Sequence, residues 1–121
     1  MKYGFENLEV WQKSRILVKS VYEITATFPN DEKFGLTNQL RRACVSVSSN
    51  IAEGSTRWST KDQARFYEIA FGSLMEILNQ FILSYDLKFI NEETLQKFRD
   101  ELETLGRMLN SLHKSTKTKN I

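Results

Sequence analysis

The chain has 121 residues, 40% of them hydrophobic and 26% charged, with a net charge of only +2, a size that fits one domain with a real core. A single cysteine, Cys44, and a single histidine, His113, exclude a disulfide, a cysteine cluster and a paired-histidine metal site. No apolar run approaches the roughly 18 residues of a membrane span, and Met1–Glu6 lacks the apolar stretch of a signal peptide, so a cytoplasmic protein without a membrane partner is expected.

One proline and five glycines are too few breakers for many short strands, and they argue for long helices. The first predicted helix runs from about Leu8 to Phe28. Asn7 is its expected N-cap, Val10, Leu17, Val21, Ile24 and Phe28 form its apolar stripe, and Trp11, Val18 and Tyr22 widen that stripe. Pro29 ends it. The second is placed at about Leu36 to Glu53, with Leu40, Cys44, Val47 and Ile51 at helical spacing. Alternation in Cys44-Val45-Ser46-Val47-Ser48 also allows a strand, but the helical stripe covers more of the segment. Gly54 is the expected left-handed terminator.

The third helix spans about Thr60 to Asp86, opened by a capping box of Thr60 with Gln63. It is apolar on two faces, one with Phe66, Ala70 and Ile77, the other with Tyr67, Phe71, Leu74, Leu78 and Tyr85. That excess predicts a central position or a second partner. The fourth runs from about Glu92 to Leu112 behind an Asn91 cap. Leu95, Phe98, Leu102, Leu105, Leu109 and Leu112 alternate steps of three and four, a heptad seam. Residues 114–121 carry Lys114, Lys117 and Lys119 without an acid and read as a disordered basic tail. Short connections make successive helices antiparallel, so the expected fold is all-α: an antiparallel up-down four-helix bundle over residues 1–113.

Catalytic motifs are missing: there is no phosphate loop, no His-Glu-x-x-His and no nucleophile elbow. No enzyme activity, cofactor or metal is expected. Cys44 sits on an apolar stripe and reads as a small buried hydrophobe. Arg107 and His113 have the R-x(4-6)-H spacing of HEPN ribonucleases, but on a straight helix they lie about 120° apart. The plainer reading is a pair of cations at the negative end of a helix.

Two other features carry more. Arg42, Ser46, Ser49, Asn50 and Glu53 make a short-chained polar stripe on the second helix, suited to close packing or to an inter-subunit contact. Around the second break, Arg41, Arg42, Arg57, Lys61 and Arg65 surround Trp58, with Glu53 and Asp62 the acids among them. Cations neutralise phosphate and an indole stacks on a base, so these six residues form the candidate nucleic-acid site. A mixed-charge surface with Trp58 packed over the bundle end is the alternative.

Four segments then carry a resemblance: Phe5-Glu6-Asn7-Leu8-Glu9-Val10-Trp11, Gly35-Leu36-Thr37-Asn38-Gln39-Leu40-Arg41-Arg42-Ala43, Ser49-Asn50-Ile51-Ala52-Glu53-Gly54 and Ile69-Ala70-Phe71-Gly72-Ser73-Leu74-Met75-Glu76. Together they resemble the bacterial four-helix-bundle family of 23S rRNA intervening-sequence proteins, over nearly all the chain to about Leu112. The resemblance implies a non-catalytic bundle that assembles into a ring, typically a homopentamer. It also implies a likeness to the accessory proteins of diversity-generating retroelements, whose basic barrel binds nucleic acid and a reverse transcriptase. The implied partners are therefore further copies of the chain, RNA or DNA, and a nucleic-acid-processing protein.

Fold and assembly roles fall to Asn50, Glu53, Gly54, Gly72 and Glu76: Gly54 stops the second helix, Asn50 and Glu53 bond the next helix cap, and the small residues let a helix approach. This sequence departs from the family pattern in two places, with Ser48 where proline is usual and Leu78 where a second acid follows Glu76. The competing functional readings are an assembly module that binds only protein, and a HEPN-like ribonuclease.

Overall fold

The structure, a computed structural model, describes residues 2–118. Among these residues lie four helices, α1 (Glu9–Thr25), α2 (Leu36–Ser55), α3 (Thr60–Asp86) and α4 (Glu92–Thr118), two 3₁₀ turns (Gly4–Asn7 and Asn30–Glu32) and no strand. Each helix packs on its successor, α2 and α3 most extensively, and α4 closes on α1 through the thinnest seam. The fold is the expected all-α four-helix bundle, and residues 43–49 are helical.

The stripes explain the packing. Val10, Leu17 and Val21 of α1, Leu40, Cys44, Val47 and Ile51 of α2, Tyr67, Leu74, Ile77 and Phe81 of α3 and the α4 seam from Leu95 to Leu109 are all buried. Each such side chain contributes roughly 1.5–3 kcal/mol on leaving water. Phe81 and Phe98 stack across α3 and α4 with centroids 4.1 Å apart. Ser14 fills the gap in the α1 stripe, its hydroxyl donating to the Trp11 carbonyl at 2.7 Å, so the buried oxygen is satisfied.

Several helix ends differ from expectation. Asn7 does not cap α1. It lies inside the Gly4–Asn7 turn, where the Glu6 carboxylate accepts the Tyr3 N–H at 2.8 Å, and Leu8 occupies the cap position. Helix α1 stops at Thr25, three residues before Phe28, because Thr25 and Thr27 hydroxyls bond the last carbonyls and tighten the turn before Pro29. Ser59, one residue before Thr60, caps α3 by accepting the Asp62 N–H at 3.1 Å. Asn91 does cap α4, accepting from the Thr94 N–H at 2.8 Å.

Gly54 is not a left-handed terminator, since no glycine described has a positive φ. It remains inside α2, and a Cβ there would lie 2.7 Å from Tyr67 Cε1 and 2.9 Å from Phe66 Cβ. Its missing side chain is what lets α2 and α3 close on each other. The left-handed residue is Lys88, at φ 66°. It ends α3 in a Schellman arrangement, with Phe89 N–H donating to the Ser84 carbonyl and Lys88 N–H to that of Tyr85, both at 2.9 Å.

Nor does the chain fray at Lys114. No glycine or proline follows Leu112, and α4 continues to Thr118, with Thr116 buried and Lys117 in the last turn. Of the expected basic tail, Lys119 and the two residues after it lie outside the described residues.

Candidate nucleic-acid interface

The up-down topology gathers the α2–α3 turn, the N-terminal turn and the end of α4 at one end of the bundle. The turn is built from short bonds. Thr56 Oγ1 donates to the Glu53 carbonyl at 2.8 Å, Arg57 N–H to Gly54 at 3.2 Å, and Gln63 Nε2 reaches back to the Arg57 carbonyl at 3.1 Å. The Arg57 guanidinium lies 4.3 Å from the centroid of Phe66, a cation–π contact that pins it beside the turn. Trp58 stands at the tip with its side chain fully exposed, at 102% of its reference area. Lys61 and Arg65 are exposed on the first turns of α3.

The register of α4 brings further cations here. His113 Nε2 and Glu68 Oε2 are 2.7 Å apart, which sets Lys114 and Lys117 level with the start of α3. Reading these lysines as a tail had separated them from the end of the bundle that bears the turn. The signal was present, since nothing in the sequence breaks α4 before them.

The expected six-residue site does not assemble as a unit. Arg57, Trp58, Lys61 and Arg65 come together, but Arg41 and Arg42 stand about 20 Å back along α2, by the 1.5 Å rise per residue. Arg41 is committed to the fold. Its Nε donates to Thr25 Oγ1 at 2.9 Å, its guanidinium lies 4.6 Å from the Tyr22 centroid, and it thereby ties α2 to the negative end of α1. Arg42 is exposed.

The polar stripe of α2 also divides. Ser46 Oγ pairs with Ser73 Oγ of α3 at 3.0 Å, and Asn50 Nδ2 donates to the Ser46 carbonyl at 2.8 Å. Asn50 thus braces α2 and does not reach the cap of α3. Glu53 reaches that turn only through its carbonyl, while its carboxylate is exposed along with Arg42 and Ser49. Gly72 and Glu76 are exposed on α3, and a Cβ at Gly72 would meet nothing within 4 Å.

The remaining candidates for chemistry are dispersed. Arg107 faces Glu103 on its own helix at 3.7 Å, and His113 is engaged by Glu68 of α3. Cys44 is buried, and desolvation pushes its thiol up to about 11, with only weaker opposition from backbone bonds and Arg41. No group of acids, histidine and cysteine among the described residues is placed to hold a metal ion.

Residues 6–111 match the family described as 23S rRNA-intervening sequence protein. The chain belongs to this family. A crystal structure of a protein of unknown function from the S23 ribosomal protein family of Bacteroides thetaiotaomicron has the same fold, with a TM-score of 0.80 at 20% identity, covering 87% of this chain and 98% of that one. No curated protein matches. Of the two departures from the family pattern, Ser48 lies within an unbroken α2, and Leu78 is half-buried, lining a groove of about 570 Å³ between α3 and α4. No described helix is long and apolar enough to cross a membrane.

Proposed function

We propose that this member of the intervening-sequence family is a non-catalytic, self-associating bundle that binds nucleic acid through the end bearing the α2–α3 turn. The observation that supports this reading is the placement of Arg57, Lys61, Arg65, Lys114 and Lys117 at the end of the bundle that bears the exposed Trp58. Glu53 and Asp62 are interspersed among them, and Glu68 is engaged by His113. Such a cluster neutralises phosphates and releases their counterions, which is the main source of affinity for nucleic acid.

The test is binding of fluorescent RNA and DNA across a salt series. Affinity should fall steeply as salt rises, and the combined variant Arg57→Glu, Lys61→Glu, Arg65→Glu should lose binding while remaining folded. Salt-insensitive binding, or none at low salt, contradicts the reading.

Self-association rests on α3. Ile69, Gly72, Glu76, Asn79 and Leu83 are exposed at successive steps of three, four, three and four, a seam of the kind that packs against another helix. We assign it to a second copy, in a ring whose number the family resemblance puts at five. Light scattering should give a closed oligomer, which Ile69→Glu with Leu83→Glu dissociates. The groove between α3 and α4 has an apolar floor of Phe71, Met75 and Leu78 and a rim that includes Arg99 together with the Arg107–Glu103 pair. It suits an acidic amphipathic helix of a nucleic-acid-processing protein, the second reading.

A further inference from the structure

Tryptophan is buried on average in folded proteins, so a tryptophan left wholly in solvent on a well-braced turn carries information. The turn around Trp58 is closed at every side. Ser55 Oγ donates to the Ala52 carbonyl at 2.8 Å, Thr56 and Arg57 N–H groups return to α2, Gln63 holds the Arg57 carbonyl, and Ser59 caps α3. The backbone on both sides of the indole is thus held, and the ring projects from a fixed point.

Its surroundings select among occupants. The residues beside Trp58 are Thr56, Arg57, Ser59, Thr60, Lys61 and Asp62, charged or hydroxylated. The core of a protein interface is depleted of charge and presents continuous apolar area, and a membrane-binding helix presents a whole apolar face. Neither matches one indole set among charged and hydroxylated residues. A lone aromatic platform beside phosphate-neutralising cations is the pairing used to hold unpaired bases, whose faces are open for stacking. In a duplex those faces already cover one another.

Building on the nucleic-acid reading above, we infer that the ligand of the basic end is single-stranded, with an unpaired base stacking on Trp58 while Arg57, Lys61 and Arg65 hold the flanking phosphates. Trp58 supplies affinity without sequence preference, because every base has a π-face. Arg57, held over Phe66, is placed to contact the phosphate next to the stacked base.

The chain has two tryptophans, and Trp11→Phe leaves Trp58 as the sole emitter. The full-length variant is titrated with a short unstructured RNA, the DNA strand of the same sequence, and the corresponding duplex. Single strands should quench Trp58 emission saturably and bind more tightly than the duplex. Trp58→Ala should weaken single-strand binding about 5- to 150-fold, the range for losing one stacked base, and leave the salt slope unchanged. Trp58→Phe should keep most of the affinity. Single-strand binding with unmoved emission and no effect of Trp58→Ala overturns the inference and leaves the nucleic-acid reading standing. Equal quenching by the duplex, quenching only by anionic lipid vesicles, or emission that shifts with protein concentration alone also overturns it. No binding by any oligonucleotide removes both.

Discussion

The two ends of the bundle are built differently and differ in charge: two connections close one, while the α2–α3 turn, the N-terminal turn and the end of α4 form the other. At one end, the α1–α2 and α3–α4 connections bring together Asp31, Glu32, Asp86, Glu92 and Glu93 against Lys33 and Lys88. At the other, Lys2, Arg57, Lys61, Arg65, Lys114 and Lys117 narrowly outnumber Glu6, Glu9, Glu53, Asp62 and Glu68. The most exposed aromatic ring at each end is Phe34 at 86% and Trp58 at 102%. The net charge of +2 averages this polarity away. On the proposed function, the end bearing the α2–α3 turn is the one that meets phosphate.

The comparison can be broken first at the packing beneath the basic end. Gly54→Val puts three carbons where Tyr67 and Phe66 already stand, and overpacking of this kind costs about 1–3 kcal/mol, occasionally more. Urea unfolding should show a loss of about 3 kcal/mol, the largest single-residue effect expected. A stable Gly54→Val protein would mean that α2 and α3 do not meet closely beneath the turn. Gly72→Ala, with nothing of its own chain within 4 Å of the added carbon, should instead gain up to about 1 kcal/mol from helix propensity when measured in the dissociated Ile69→Glu, Leu83→Glu background.

At the acidic end, Lys88 holds a left-handed conformation that costs a side-chain-bearing residue about 1–2 kcal/mol. Lys88→Gly removes that strain and should raise stability by about 1 kcal/mol in the same assay. It also makes that end more acidic, so nucleic-acid affinity at the far end should be unchanged. A loss of stability would show that the Lys88 side chain contributes more than its backbone costs.

The smallest effect lies between the ends, in the thin seam of α1 and α4. Glu101 sits there beside a cavity of about 160 Å³ lined also by Lys13, Ile16, Leu17, Thr104 and Leu105, and its buried Oε2 has no hydrogen-bond partner. Desolvation raises its pKa above the ordinary glutamate value, with Lys97 opposing. The charged form is therefore disfavoured in the folded state. Its protonated form favours folding at pH below the unfolded value, and that contribution is lost as pH rises through the raised one. Glu101→Gln should raise the Tm slightly at neutral pH and match wild type in acid. A lower Tm at neutral pH would indicate a partner for the carboxylate.

Much of the fold was legible because burial follows periodicity. Leu40, Cys44, Val47 and Ile51 have the spacing of a buried stripe and are buried, and the α4 heptads lie in the core through Leu109. The bounds of α3 and the Asn91 cap were equally plain. What escaped the sequence depends on neighbours remote along the chain. Gly54 looks the same whether it terminates a helix or admits Tyr67, and Lys88 carries no mark of a left-handed φ. Arg41 belongs to a basic cluster by sequence, but Thr25 and Tyr22 claim it from the adjacent helix. The candidate site was legible as a composition, cations with Trp58, and the addition of Lys114 and Lys117 to it required the register of α4.

The polarity of the bundle is tested most directly by the slope of binding affinity against salt, measured on a single-stranded RNA for two charge variants. Each phosphate contact contributes about −0.7 to that slope for single strands. Reversing Arg57, Lys61 and Arg65 should remove binding or flatten the slope by roughly 2, whereas Asp31→Asn with Glu93→Gln should leave both slope and affinity at the wild-type value. Equal changes from the two variants, or an unaltered slope after the basic end is reversed, would contradict it.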